Sequence, residues 1–269
     1  MGFPVVAGCL TKAGSESLGK SCSSRLKTLT VDVTDSDSIR AAYEAVKKAL
    51  PDDTCLWAVV NNAGVTGRLT VSEMCTKKDF IDACNVNLFG PIEVARTFMP
   101  LLRKSKGRVV NMVSVMGRCP AVSSPYSVSK FGLEAYSDVL RREVSRFGVK
   151  VIVIEPGFFK TTIFNREALQ ASTRKTFEQS SSEVQAAYGH DYVEKMSSLL
   201  DGVMDSLSPH TYKVVNAYVD AITAKYPRAR YLVGYDAKFL FVPIYHLPEW
   251  LMDWLIEFKS RKLIQKTTS

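Results

Sequence analysis

Apolar positions follow two alternating rhythms along the chain. Residues 3–8, 26–31, 56–61, 107–113 and 149–155 are short β-branched runs with no polar alternate face. Such runs predict strands buried on both sides of a parallel sheet. Between them the period lengthens. Thr34-Asp35-Ser36 is a cap-like start for a helix over 35–50 with Ile39, Ala42, Tyr43 and Val46 on one face. Further helices are expected over about 77–102 and 124–147. Strand–helix–strand repetition predicts an α/β fold of the Rossmann-like, doubly wound, parallel-sheet type. No linker or fixed repeat interrupts the pattern, so residues 1–269 are expected to form one domain.

After Gly157 the pattern changes. Residues 161–213 are polar and Ser-rich with helical stretches, Tyr231-Leu232-Val233 reads as a last strand, and 239–258 is aromatic-rich and broken by Pro243 and Pro248. On a helix starting near Pro248, Trp250, Leu251, Trp254, Leu255 and Phe258 share one face, and Glu249, Asp253 and Glu257 the other. Two readings follow: a helix packed on the core, or an interfacial helix helped by Lys259, Arg261, Lys262 and Lys266.

Composition narrows the function classes. A hydrophobic content of 46% in 269 residues describes a folded globular chain, and no apolar run is long enough to span a bilayer. The net charge of +8 is spread out rather than concentrated on a block, which argues against a nucleic-acid partner. The six cysteines form no CxxC pair, and Cys9, Cys55 and Cys119 lie in or beside apolar runs, as reduced buried thiols do. Three isolated histidines make no zinc motif, and no metal site is expected.

Candidate chemistry gathers at the strand ends. Tyr126 and Lys130 are four apart on the third helix, so the ammonium can lie near the phenol and favour its ionised form. Ser114 follows the strand of 107–113, where its hydroxyl can hold a substrate oxygen. Asn61-Asn62-Ala63-Gly64, Asp32-Val33 and Pro156-Gly157 close three more strands. Asp32 would hydrogen-bond a base edge or cap the next helix; Asn-Ala-Gly would admit a flat ligand or simply make a turn.

Together these segments resemble the short-chain dehydrogenase/reductase superfamily, in particular its microsomal branch of retinol and 17β-hydroxysteroid dehydrogenases. The likeness runs from Ala7-Gly8-Cys9-Leu10-Thr11 through Val31-Asp32-Val33-Thr34-Asp35, Asn-Asn-Ala-Gly and Asn85-Val86-Asn87-Leu88-Phe89-Gly90. It continues through 108–118, 126–132, Leu140-Arg141-Arg142-Glu143-Val144 and Glu155-Pro156-Gly157-Phe158-Phe159-Lys160-Thr161 to 231–238. The resemblance implies Tyr126 as catalytic acid/base, Lys130 lowering its pKa and holding the nicotinamide ribose, Ser114 orienting the substrate oxygen, and Asn87 completing a proton relay. It further implies Asp32 and Val33 at the adenine, Asn61, Ala63 and Gly64 on the ribose side, and Pro156, Gly157 and Thr161 at the nicotinamide end.

The implied activity is NAD(P)-dependent interconversion of an alcohol and a carbonyl on a lipophilic retinoid or hydroxysteroid. The implied cofactor is NAD, with NADP open. The segment 161–213 would be a substrate lid, and 239–269 would touch a membrane surface at the endoplasmic reticulum. No segment supplies the family's glycine-rich phosphate loop. By the resemblance the chain starts at the family's second strand, without the first strand, that loop, the first helix or the branch's membrane anchor. A chain of that kind is expected to bind cofactor weakly, to leave two apolar strand edges unpaired, and to be cytoplasmic if the anchor is absent. The alternative reading is a non-enzymatic partner that dimerises through the 124–147 helix; a homodimer is also open.

Overall fold

Parallel strands and crossover helices follow one another in a computed structural model that describes residues 2–51, 54–121 and 123–267, with side chains to residue 258. The first half runs β1 (Val5–Cys9), α1 (Lys12–Ser21), β2 (Leu26–Thr30), α2 (Ser36–Ala49), β3 (Ala58–Asn61), α3 (Lys77–Cys84), α4 (Gly90–Ser105) and β4 (Arg108–Met112). Then come α5 (Ser124–Val144), β5 (Lys150–Pro156), α6 (Arg166–Gln179), α7 (Ser182–Tyr188), α8 (Tyr192–Asp205), α9 (Tyr212–Thr223), β6 (Arg230–Val233), α10 (Val242–Tyr245) and α11 (Glu249–Thr267). The fold is α/β and Rossmann-like, with every strand pairing parallel.

The core sits around a four-stranded sheet of order β3-β4-β5-β6. Adjacent residues of its strands point to opposite faces, so each face needs its own helical cover. Val109 and Val151 pack against Ala95, Met99 and Leu102 of α4 and Leu140 and Val144 of α5. Val110, Ile152 and Ile154 pack the other way, against Ala217 and Ala221 of α9. Burial on both faces explains why these strands read as continuous apolar runs.

The first two strands depart from the expectation of full burial. They form a separate two-stranded sheet, and β1 and β3 each hydrogen-bond to one neighbour only. Val5 is 49% and Val6 41% exposed, whereas Val109 and Val110 are both 0%. The helix α1 buries none of its residues, and its sequence, KAGSESLGKS, has no apolar stripe to bury. On the shared helix layer, α2 places Ile39, Ala42 and Val46 against Phe98 and Leu101 of α4, with Leu29 of β2 and Val59 of β3 alongside.

Three smaller expectations are also corrected. The helix expected over 77–102 is broken by a π-helical turn at Asn85–Phe89, between α3 and α4. Among the cysteines Cys119 is buried but Cys55 is exposed, because it lies in the connection before β3 rather than in the strand; all six thiols are free. Finally, α11 turns Trp250 (71% exposed) and Trp254 (56%) outward together with Asp253 and Glu257, while Leu251 and Leu255 are half-buried. The helix packs along α8. Its aliphatic flank and its aromatic edge therefore serve different surroundings. No helix among the described residues is long and apolar enough to cross a membrane.

Candidate active site

The carboxyl ends of β3, β4 and β5 converge on one cavity of about 1290 Å³. Its wall includes Asn62, Ala63, Gly64, Ser114, Tyr126, Lys130, Pro156, Gly157 and Thr161. Of the other residues the sequence suggests for the site, Ala63, Gly64, Pro156, Gly157 and Thr161 reach it, while Asn61, Asn87, Asp32 and Val33 do not line it.

Tyr126 lies in the first turn of α5, whose entry is set by Ser123 in a left-handed conformation (φ 52°). That backbone is held by the Ser123 hydroxyl, which donates to the carbonyl of Arg68 at 2.6 Å. The Tyr126 hydroxyl is hydrogen-bonded to Ser114. Burial raises its pKa, and the Ser114 hydrogen bond opposes the rise. The lowering expected from Lys130 is not seen, because the ammonium points elsewhere. Lys130 Nζ donates to the Met112 carbonyl at 2.9 Å and stands 5.7 Å from the centre of the Tyr126 ring. Lys130 is itself buried, and desolvation lowers its pKa to about 8.

Asn87 sits in the π-helical turn and is completely buried. Its Oδ1 accepts from the Val65 N–H at 2.9 Å, and its Nδ2 donates to the Val65 carbonyl at 2.8 Å and to Ser129 Oγ at 3.0 Å. Ser129 in turn donates to the Tyr126 carbonyl at 2.7 Å. Asn87 thus ties the Gly64-Val65 loop to the helix that carries Tyr126. A side chain at Gly64 would approach Asn87 Oδ1 to 3.3 Å and Lys130 Nζ to 3.7 Å, so glycine keeps this floor open.

Asn61 has a different task from its neighbour. Its Nδ2 donates to Asn111 Oδ1 at 2.9 Å, and Asn111 Nδ2 donates to Ser137 Oγ at 2.9 Å, a buried polar chain from β3 through β4 into α5. Asn62 instead faces the cavity and accepts from the Tyr218 hydroxyl of α9 at 2.7 Å. At the end of β2, Asp32 accepts from the N–H and hydroxyl of Thr34 at 2.8 and 2.7 Å, and these bonds hold its pKa below the usual carboxylate value. The cap of α2 is Asp35, so Asp32 shapes the strand end rather than the helix start. Val33 packs against Gly90, where a Cβ would come within 3.0 Å of it.

Beneath the site lies a buried ionic network that no local motif announces. Arg230 of β6 reaches Glu155 at 2.8 Å, Asp138 at 2.8 Å and also Glu134, and Arg118 reaches Glu155 at 2.8 Å. These residues join α5, the loop after Ser114 and the last turn of β5. Desolvation and the Glu155 charge push the Glu134 carboxyl well above its ordinary pKa. Helices α6 and α8 supply the apolar wall opposite Tyr126, with Leu169, Met196, Leu200 and Met204. The helix α8 is tied down where Tyr192 and Thr70 share a hydrogen bond of 2.7 Å, and α7 where Tyr188 donates to Glu73 at 3.0 Å. Tyr218, Arg230 and Asp236 were not legible as site residues; their partners are remote in sequence and share no spacing with them.

Comparison with known proteins finds relatives along most of the chain. Residues 2–172 match the family model described as short chain dehydrogenase. The chain is 42% identical to retinol dehydrogenase 16 of Rattus norvegicus over 261 residues, covering 97% of this chain and 82% of that protein. It is 40% identical over 264 residues to 17-beta-hydroxysteroid dehydrogenase type 6 of the same species, covering 98% of this chain and 83% of the other. A short-chain dehydrogenase from Streptomyces avermitilis superposes with a TM-score of 0.70 at 25% identity, over 98% of this chain and 89% of its own. Two others share the fold at 18% identity. One, from Burkholderia cenocepacia in complex with NADP, has a TM-score of 0.66 over 93% of this chain and 85% of its own. The other, from Burkholderia phymatum in complex with NAD, has 0.68 over 89% and 82%.

Proposed function

This chain belongs to the short-chain dehydrogenase family of oxidoreductases, and from that premise we propose that it interconverts an alcohol and a carbonyl on a retinoid or hydroxysteroid through Tyr126, Ser114, Lys130 and Asn87. The observation that carries the reading is the Tyr126–Ser114 hydrogen bond with a buried Lys130 on the wall of a large, mainly apolar cavity.

The residues divide the work. Ser114 holds the substrate oxygen as charge develops on it. Tyr126 takes the proton from the alcohol, or returns it to the carbonyl in reduction. Burial opposes phenolate formation at Tyr126 and the Ser114 hydrogen bond favours it, and a swing of the Lys130 ammonium toward the phenol would add to the second effect. Asn87, with one Oδ1 contact made to Val65, leaves acceptor capacity for a water that connects Lys130 to solvent.

The residues at the strand ends fit a nicotinamide dinucleotide. The floor at Gly64 would be filled by any Cβ, and a buried cation stands above it. Ala63, Gly64, Lys130, Pro156, Gly157 and Thr161 would hold the nicotinamide and its ribose, Asn61 would fix that loop from below, and Asp32 and Val33 would meet the adenine. When bound, the dinucleotide accepts or donates the hydride. NAD is favoured over NADP through the likeness to the retinol and 17β-hydroxysteroid dehydrogenase branch; after β1 stand Cys9-Leu10 and then Lys12, neither the acid that marks an NAD site nor the arginine that marks an NADP site.

The segment 161–213 acts as a lid over the substrate, and the outward Trp250 and Trp254 meet a membrane surface such as that of the endoplasmic reticulum. Val128 and Val139, exposed on α5, support a homodimer through that helix. The deciding experiment assays all-trans-retinol and a 3α-hydroxysteroid with NAD and with NADP, alongside Tyr126→Phe. Turnover that vanishes in the variant supports the reading. Signals equal in both proteins overturn it and leave the non-enzymatic partner.

A further inference from the structure

A carboxylate outside the Tyr126 group sits in a recess that only glycines can form. Asp236 follows β6, and its Oδ2 accepts from the Phe158 N–H at 2.6 Å. A Cβ placed on Gly157 would stand 2.2 Å from both Asp236 oxygens, and one on Gly234 would stand 2.4 Å from Oδ1. Gly234 also has φ 111°, a conformation that side chains rarely adopt. Two glycines from different strands therefore wall the carboxylate, and the Gly157 N–H is already committed to the Val233 carbonyl at 2.8 Å.

What Asp236 holds is the corner after β5. Phe158 packs with Tyr126, Val115 and Met116 around the fully buried Ala237, and its ring lies 5.5 Å from that of Phe241. The strand behind the corner is pinned by Glu155 to Arg118 and Arg230, and Asp236 pins the peptide just ahead of it. Pro156 and Gly157 lie between these two anchors. At 2.6 Å the Phe158 N–H bond is at the short end of the N–H···O range, so this anchor is a stiff one.

We propose that Asp236 is a positioning residue for the nicotinamide side of the site. It fixes the Pro156-Gly157-Phe158 backbone in the shape the dinucleotide meets, without touching the dinucleotide itself. The inference rests on the reading of Pro156, Gly157 and Thr161 as the nicotinamide end.

The test compares Asp236→Ala and Asp236→Asn in the full chain, measuring kcat and the KM for NAD with a saturating alcohol, and amide hydrogen exchange at Phe158. Loss of the anchor should raise the dinucleotide KM by about tenfold, with kcat and the alcohol KM moving much less. The asparagine, which keeps an acceptor, should restore most of that loss and the protection of the Phe158 amide. Should Asp236→Ala fail to fold, Gly234→Ala, whose Cβ would stand 2.4 Å from Asp236 Oδ1, displaces the carboxylate and is expected to give the same rise. A dinucleotide KM unchanged in these variants, or one that rises only in step with losses of kcat and thermal stability, overturns the proposal. A wild-type chain that binds no dinucleotide defeats the functional reading and this inference together, whereas normal turnover with insensitive variants defeats this inference alone.

Discussion

The two sheets of this molecule are built from similar sequence and meet different fates. Both consist of short β-branched strands joined by crossover helices, yet β4 and β5 are covered on both faces while β1 is open to water along much of its length. The difference lies in the helices. The α4, α5 and α9 segments carry apolar stripes that seal the large sheet, whereas α1 has none. The proposed reacting groups Ser114, Tyr126 and Lys130 lie at the carboxyl edge of the sealed sheet and on α5, which covers it, and the proposed adenine contacts Asp32 and Val33 follow the open one. Precision is needed where a proton moves, and the deep sheet supplies it; the strands of the open sheet are held by far fewer buried contacts.

The sharpest test of that division is Tyr126→Phe. Turnover should fall by about a thousandfold or more, as expected for loss of a general acid/base, while dinucleotide affinity and thermal midpoint stay near wild type. A large drop in stability would show that the phenol belongs to the scaffold as much as to the chemistry. Arg230→Ala comes next. It leaves Glu134 buried without its cation and Glu155 with Arg118 alone, and urea unfolding should register a loss of about 3–5 kcal/mol.

Lys130 gives a test by pH. Its folded-state pKa of about 8 lies below its ordinary 10.5, so between those values the unfolded chain holds more protons. Relative to Lys130→Met, wild-type stability should therefore rise from pH 8 toward 10.5, by up to about 3 kcal/mol, and show its full deficit below 8. Denaturant titrations of both proteins at three pH values would check the sign; a difference that stays flat over this range would mean that the ammonium is well solvated.

The smallest effect bears on the sheets themselves. Val109→Ala in the deep sheet should cost about 2 kcal/mol, against no more than about 0.5 kcal/mol for Val5→Ala in the open one. Equal costs, read from chemical denaturation, would erase the contrast.

Much of the fold could be read from the sequence because its strands are marked by local composition. Each expected strand lies within two residues of an observed one, and the α2 start at Asp35 follows from its cap. Burial was less legible. A β-branched run such as Val5-Val6 has the same composition whether or not a neighbour covers it, and α1 escapes pattern reading because it has no periodicity to show. The π-helical turn at Asn85–Phe89 needs tertiary packing to form and leaves no local sign. In the site, Tyr126, Lys130 and Ser114 stood out through spacing and strand-end position. Arg230 with Glu134, and Asp236 with Phe158, are pairs separated by 96 and 78 residues, and only the folded chain brings them together.

The buried chain Asn61–Asn111–Ser137 has a consequence for how this sequence can change over generations. Each side chain satisfies the next in a space that water does not reach, so replacing one by an apolar residue strands its partner at about 1–3 kcal/mol. Replacing all three at once removes the need for any of them. The three positions are thus expected to be inherited as a block. A lineage that loses one faces a stability deficit until the other two follow, and descendants should carry either the whole polar chain or none of it.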